Sequence, residues 1–425
     1  MERTADVGRK MFSGLRAPEG SAVGGSQVVR VVRPARWWLL AGVIAVMVLV
    51  AGVGVGDRAP AVQRVLTQVV PGDPAAWRPA LDALLDRRAD AVRRHDEAAF
   101  LADVDGTDAV FVRRQREQYQ GLVALNLARF ELTMLDVHRY SLLNDYTLPG
   151  DEAALVHRFA VVGAVRVTVR YAVGGLDREP VAAPWVPIVG FSARGWVLAG
   201  ESDDQTLPTG AGGQPWDGAP IMVAHAGNVT LVVSRGRDDV VQRLAPLAEE
   251  ALAEVVTFRP DGWPGKVLVT AVDDPAVFAS YFRQLPGEFA AADYPFFASV
   301  PEWDPGYADR YTTSRVILNG KYFDRYSKVQ LKPILVHELV HAALDGVTSE
   351  QTPIWLKEGV ANVVSYPLEY VTDAAVAELV RRIGVPSGLP ADETFFEETR
   401  ANYDVAWLAC RMIAEQYGRD RLLAL

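Results

Sequence analysis

The sequence predicts an α+β protein carried behind an N-terminal transmembrane helix. Three observations lead there: an uncharged apolar run near the N-terminus, helical periodicity followed by β-branched stretches, and a closing α/β succession that contains LVHELVHAALDG. At 425 residues the chain exceeds one ordinary core, so two folded units with linkers are expected. Half of its residues are hydrophobic and 23% are charged, a balance that suits packed domains. A formal net charge of −10 argues against nucleic acid as a partner, because phosphates require clustered cations. The single cysteine, Cys410, excludes both an intramolecular disulfide and a thiolate metal cluster.

Residues 37–56, WWLLAGVIAVMVLVAGVGVG, contain 20 residues without a charge. As a helix they span about 30 Å, the thickness of a bilayer core. Residues 1–36 carry seven Lys or Arg against three acids, a basic tail that the positive-inside rule places in the cytoplasm. Trp37 and Trp38 fall at the inner interface, and everything after residue 56 lies outside, in contact with membrane lipid only through 37–56. A cleaved signal peptide ending near APAV (59–62) and a buried core helix are the alternatives. Residues 57–71 read as a spacer.

From Trp77 onward, Leu81, Leu84, Leu85, Ala89 and Val92 recur at helical spacing, and a second helical run covers about 108–129. Residues 157–173 are β-branched and alternate in their latter part, Val165, Val167, Val169 and Tyr171 against Arg166, Thr168 and Arg170. WVPIVGFSARGWVLAGE (185–201) reads as a hairpin turning near Ser192–Gly195. LLDRRADAVRRHDEAAFLADVDG and RRQREQYQGLVALNLARFE, followed by strands, resemble the extracytoplasmic NTF2-like (cone-shaped) domains of actinobacterial membrane proteins. The resemblance covers 72–204 and implies a curled sheet wrapped by helices around a cavity. The Gly- and Pro-rich stretch 205–219 reads as a linker.

The final unit, 220–425, opens with strand NVTLVVSR, a helix over 238–256, strand KVLVTAV (266–272) and strand RVILNGKYF (315–323). Residues 328–346 then read as a helix, with Leu331, Ile334, Leu335, Leu339 and Ala342 or Ala343 facing the core and Gly346 ending it. His337 and His341 stand one turn apart on one face and can share a cation. Glu338 lies about 100° away, close enough to act on water at that cation. Zinc (Zn2+) suits this donor set through its imidazole preference, its tetrahedral geometry and its acidification of bound water. Pro333 falls early in the helix if the helix begins near it.

A hydrolytic zinc site needs a third protein ligand and an open position. TPIWLKEGVANVVSYP (352–367) reads as a second helix, with Thr352 as N-cap, Pro353 as its first residue and Glu358 in its second turn. Folded back, it brings Glu358 to the two histidines. HELVH with WLKEGVAN resembles the gluzincins. RVILN, HELVHAAL, WLKEGVAN and NYDVAWLACRMIAEQYGRDRL together resemble the peptidase MA-like metallohydrolases over 228–425. That resemblance implies a zincin-like α/β metallopeptidase domain, with His337, His341 and Glu358 as metal ligands and Glu338 as general base. It also implies that the strand around Val316–Asn319 lines the cleft and can pair with an extended peptide. Tyr403 matches a tyrosine that stabilises the oxyanion, with Tyr366 and Tyr370 as competitors.

Asn362 departs from the family at a position where some members carry an aspartate. His95, His138 and His157 lack partners at metal spacing, His225 reads as a loop residue, and Phe296, Phe297, Trp303 and Tyr307 read as loop and core aromatics. The expectation is a membrane-anchored, extracytoplasmic zinc metallopeptidase acting on a peptide or protein. A non-catalytic surface binding protein with a degenerate zincin domain is the alternative, and a hydrolase for non-peptide substrates is a third.

Overall fold

The computed structural model describes residues 74–425 except 140–153, 202–213, 218, 260–261, 274–276, 279–280, 282–288, 301–302, 304–309, 350, 367–370 and 397–398. The apolar run 37–56, the basic tail, the spacer, Tyr307 and Tyr370 therefore lie outside the described residues. Among the described helices none is long and apolar enough to cross a membrane.

The described chain is mixed α and β, with two five-stranded sheets. It begins with helices α1 (Arg78–Arg93), α2 (Glu97–Ala102) and α3 (Ala109–Ala124). Asp96 and Asp108 cap the last two by accepting main-chain N–H groups of the first turn. On α1 the periodic Leu81, Leu84, Leu85, Ala89 and Val92 are all buried. The helical run expected to reach 129 stops at Ala124. Asn126 adopts a left-handed conformation (φ 50°), and strand β1 (Leu127–Arg139) follows at once.

Strands β2 (Val162–Val173), β3 (Val181–Trp185), β4 (Pro187–Ser192) and β5 (Gly195–Glu201) complete an antiparallel sheet. β1 covers one edge of β2, while β4 and β3 share the other, beside Val162–Ala164 and Val167–Tyr171. The hairpin turns at Ser192–Gly195, where Gly195 takes φ 96°. His157 and Arg158 belong to a one-turn helix, so the strand starts later than 157. Helices and sheet leave a small cavity lined by Arg88, Gln118, Phe130, Trp185, Trp216 and Asp217.

The second sheet has the order β6-β7-β8-β10-β9. Its members are β6 (Ile221–Ala226), β7 (Val229–Ser234), β8 (Val267–Val272), β9 (Ala291–Phe297) and β10 (Tyr311–Asn319). Pairing is parallel for β7–β8 and β8–β10, and antiparallel at both ends. β7 and β8 are nearly continuous apolar runs because both of their faces are covered. One face (Leu231, Val269, Val316, Leu318) packs on α4 (Asp238–Phe258) and on the histidine helix. The other (Val232, Leu268, Phe296) joins Tyr171, Val181 and Trp216 of the first half in one core. Trp216, in the segment read as linker, is buried there with its ring 4.9 Å from Tyr171.

Two expectations need correction. Val316–Asn319 is not an edge: β10 pairs with β8 on one side and with β9 on the other, so among the described residues the edge of the sheet on this side is β9, with β6 at the far end. Phe297, read with Phe296 among loop and core aromatics, lies in that edge strand and not in a loop, while Phe296 is a core aromatic as expected.

Arg315 of β10 ties the halves together. It donates to Asp177 at 2.9 Å and to the Tyr171 hydroxyl at 2.6 Å, and both charged side chains are almost fully buried. Arg315→Ala would strand the Asp177 carboxylate without its counter-ion. Urea denaturation should register a loss of about 3–5 kcal/mol, the usual cost of removing one partner from a buried pair.

Candidate metal centre

The histidine helix, α5, covers Lys328–Leu344 and starts with a capping box between Ser327 and Gln330. It begins earlier than Pro333 suggested, so the proline sits inside the helix and forgoes one backbone bond near exposed Val329. From Ile334 to Leu344 nearly every side chain is buried, including His337 and Glu338. The periodic Leu331, Ile334, Leu335 and Leu339 hold the helix against the second sheet. Gly346 follows the C-terminal turn, where a Cβ would press on the Tyr311 ring at 3.1 Å.

Helix α6 spans Ile354–Ser365. Its N-cap is Pro353 rather than Thr352, whose hydroxyl instead accepts from the Ser349 N–H. The first N–H of α6, from Ile354, is met by Asp392, 38 residues further on, at 2.9 Å. Leu356, Val360 and Val363 pack inward, and Glu358 turns to α5.

The three expected ligand atoms converge. His337 Nε2 lies 3.1 Å from Glu358 Oε2 and 3.1 Å from His341 Nε2, and His341 Nε2 lies 3.4 Å from Glu358 Oε2. Three donors each about 2.0–2.1 Å from one cation, at tetrahedral angles, stand about 3.3 Å apart. Among the described residues, no other set of histidines, cysteines or carboxylates meets at such distances. His95, His138, His157 and His225 are all exposed and stand outside that set, and His225 lies in strand β6 and not in a loop.

The electrostatics favour a cation as well. Burial opposes the imidazolium of His341, yet Glu358, Asp293 and Glu338 outweigh it and raise its pKa to about 10. Burial raises Glu358 in turn, but the two imidazoles overcome this and hold it well below the usual carboxylate range. The site thus stabilises positive charge, which a divalent ion can supply in place of a proton. His337 Nδ1 and the Asn362 side-chain amide are buried without hydrogen-bond partners. At Asn362, therefore, no aspartate-like support for a ligand histidine is made.

Glu338 points aside from the ligand atoms, and its Oε2 accepts the Asp293 main-chain N–H at 3.0 Å. Burial lifts its pKa, against the opposing pull of His337 and His341. Asp293 had no place in the sequence reading. Its carboxyl is pushed well up by burial and by the neighbouring charge of Asp345, with which it hydrogen-bonds, and Asp345 in turn accepts from Ser314. The only signal for it was AADYPFF, an apolar stretch ahead of RVILN whose proline disguises a strand.

Tyr403 lies on α8 (Thr399–Tyr417), which packs along α6; α7 (Asp373–Ile383) precedes it. Its ring is 6.4 Å from that of His337, and its phenol lies near the Glu358 and Glu338 carboxylates. Burial, with Glu358 and Glu338 nearby, keeps the phenol protonated. Tyr366 ends α6, and burial alone raises its pKa. No family model matches this sequence, and no curated protein does either. The chemistry must therefore be read from the side chains themselves.

Gly359, next to Glu358, was also missed. A Cβ there would meet the Ala406 carbonyl oxygen and Cys410 Sγ, each at 2.5 Å. The absent side chain lets α8 approach closely enough to deliver Tyr403. Gly359→Ala should cost about 1–3 kcal/mol by overpacking, seen as a lower denaturation midpoint. Cys410 is buried in this contact, its thiol pushed up to about 12, and is unreactive packing.

Proposed function

We propose that the chain is a zinc-dependent metallopeptidase of the gluzincin type. Its catalytic half is zincin-like, its first half is NTF2-like, and residues 37–56 hold it outside the membrane. The observation that carries this reading is the convergence of His337, His341 and Glu358 at 3.1–3.4 Å beside a buried carboxylate, Glu338, that binds none of them. The residues suit zinc in number, donor type and separation. When bound, zinc would supply Lewis acidity to a scissile carbonyl and to water.

The remaining chemistry belongs to the protein. Glu338 takes the proton of the attacking water and returns it to the leaving nitrogen, a task helped by a pKa raised through burial. Tyr403, a protonated phenol beside the ligand glutamate, donates to the oxyanion. Strand β9, whose Asp293 holds Glu338, offers the open edge along which an extended peptide aligns.

The test is hydrolysis of a peptide library by the full chain, after zinc loading, after chelation and after reloading. Cleavage that disappears with the metal and returns with it supports the proposal. No cleavage at full zinc occupancy would sink the peptidase reading and favour a binding protein; a parallel ester and amide panel detects a non-peptide hydrolase.

A further inference from the structure

The main-chain pattern of β9 limits what can lie along it. Asn319 N–H donates to the Ala290 carbonyl at 2.9 Å, and Ala298 N–H donates to the Arg310 carbonyl at 3.1 Å. Even-numbered residues of this strand therefore turn their N–H and C=O groups to β10, and odd-numbered residues turn theirs outward. Asp293 and Pro295, opposite Val316 and Ser314 in the register, are two such outward positions. Among the described residues no further strand covers that edge.

An ordinary outward position offers one donor and one acceptor. Here neither donor is on offer: the Asp293 N–H is committed to Glu338 at 3.0 Å, and Pro295 has none. Among the described residues neither carbonyl has a main-chain partner, so both remain. We infer that the stretch of β9 from Asp293 to Pro295 is an acceptor-only rail, which holds an extended peptide through two of the peptide's own N–H groups, two residues apart, and leaves the peptide's carbonyls there unpaired. The inference rests on the peptidase reading and narrows its substrate class.

Strand direction does not alter the result, since in parallel and antiparallel pairing alike the two outward carbonyls receive N–H groups two residues apart. The rail starts beside the base and reaches about 7 Å along the strand to Pro295. A substrate must be unfolded locally and must carry neither proline nor an N-alkylated residue at the two donor positions. Pro295 also weakens the edge as a partner for a second strand that would need donors, which guards against edge-to-edge association.

The test uses a fluorescein-labelled, alanine-based short peptide and a series methylated at one amide nitrogen each. Binding is measured by anisotropy to the zinc-loaded full chain carrying Glu338→Gln, whose side-chain amide oxygen still accepts the Asp293 N–H. Turnover is measured with the unmodified protein. Two methylated positions, two residues apart, should each weaken binding about tenfold, while the position between them is tolerated. Pro295→Ala, which restores an outward donor, should tighten binding of the parent peptide several-fold. Uniform tolerance of methylation, sensitivity at any other spacing, or no gain from Pro295→Ala overturns the rail. If turnover persists in that case, the peptidase reading stands; if no peptide binds or is cut, both fall.

Discussion

His337→Ala is expected to empty the metal centre. His337 Nε2 lies 3.1 Å from each of the other two ligand atoms, so its removal leaves one imidazole and one carboxylate. Two donors do not enclose a zinc ion. Affinity should fall by more than the roughly 10–100-fold that follows loss of a supporting hydrogen bond. Elemental analysis of the full chain should find about one zinc per molecule in the native protein and little in the variant.

The same centre predicts a pH dependence with a definite sign. With its pKa raised to about 10, His341 carries a proton at neutral pH in the metal-free site. Zinc must displace that proton, so apparent affinity rises with pH, about tenfold per unit, until the pH passes that pKa. Acidification reverses the exchange and releases metal. Titrating metal-free protein with zinc in an indicator solution should liberate about one proton per site from His341. Zinc uptake without proton release would contradict the charge balance described for the site.

Glu338→Gln is expected to separate chemistry from metal binding. The carboxylate is not among the three converging ligand atoms, so zinc content should be unchanged. A glutamine oxygen can still accept the Asp293 N–H, which preserves the contact between helix and edge strand. It cannot take a proton from water. Hydrolysis should fall by about 10²–10⁴-fold, the usual contribution of a positioned general base. A Glu338→Gln protein that retains both zinc and full activity would remove Glu338 from the mechanism and leave the centre without its base.

Much of this was legible in the chain itself. The i, i+4 histidines define a shared face on any helix, whatever that helix packs against, because the α-helical repeat is fixed. The apolar positions of α1 and α5 and Val165, Val167, Val169 and Tyr171 of β2 marked buried side chains for the same local reason, although Thr168 on the other side of β2 is buried as well. Element ends were less legible. Thr352 has the chemistry of an N-cap, yet the first N–H of α6 is met by Asp392 from a distant segment, and no local pattern encodes that partner.

What the tertiary structure alone decided is how the elements meet. Whether RVILN forms an edge or a central strand depends on AADYPFF pairing beside it, a contact between segments separated by a loop. That pairing moves the edge on this side to β9 and brings Asp293 to Glu338. Gly359 becomes decisive only when Ala406 and Cys410 of α8 arrive within 2.5 Å of its missing Cβ. The sequence by itself determined that His337 and His341 share one helical face, since that follows from covalent order and helix geometry. The third ligand's approach, the tyrosine's placement and the acceptor-only edge were decided by packing between segments remote along the chain, where close contact rather than local periodicity sets position.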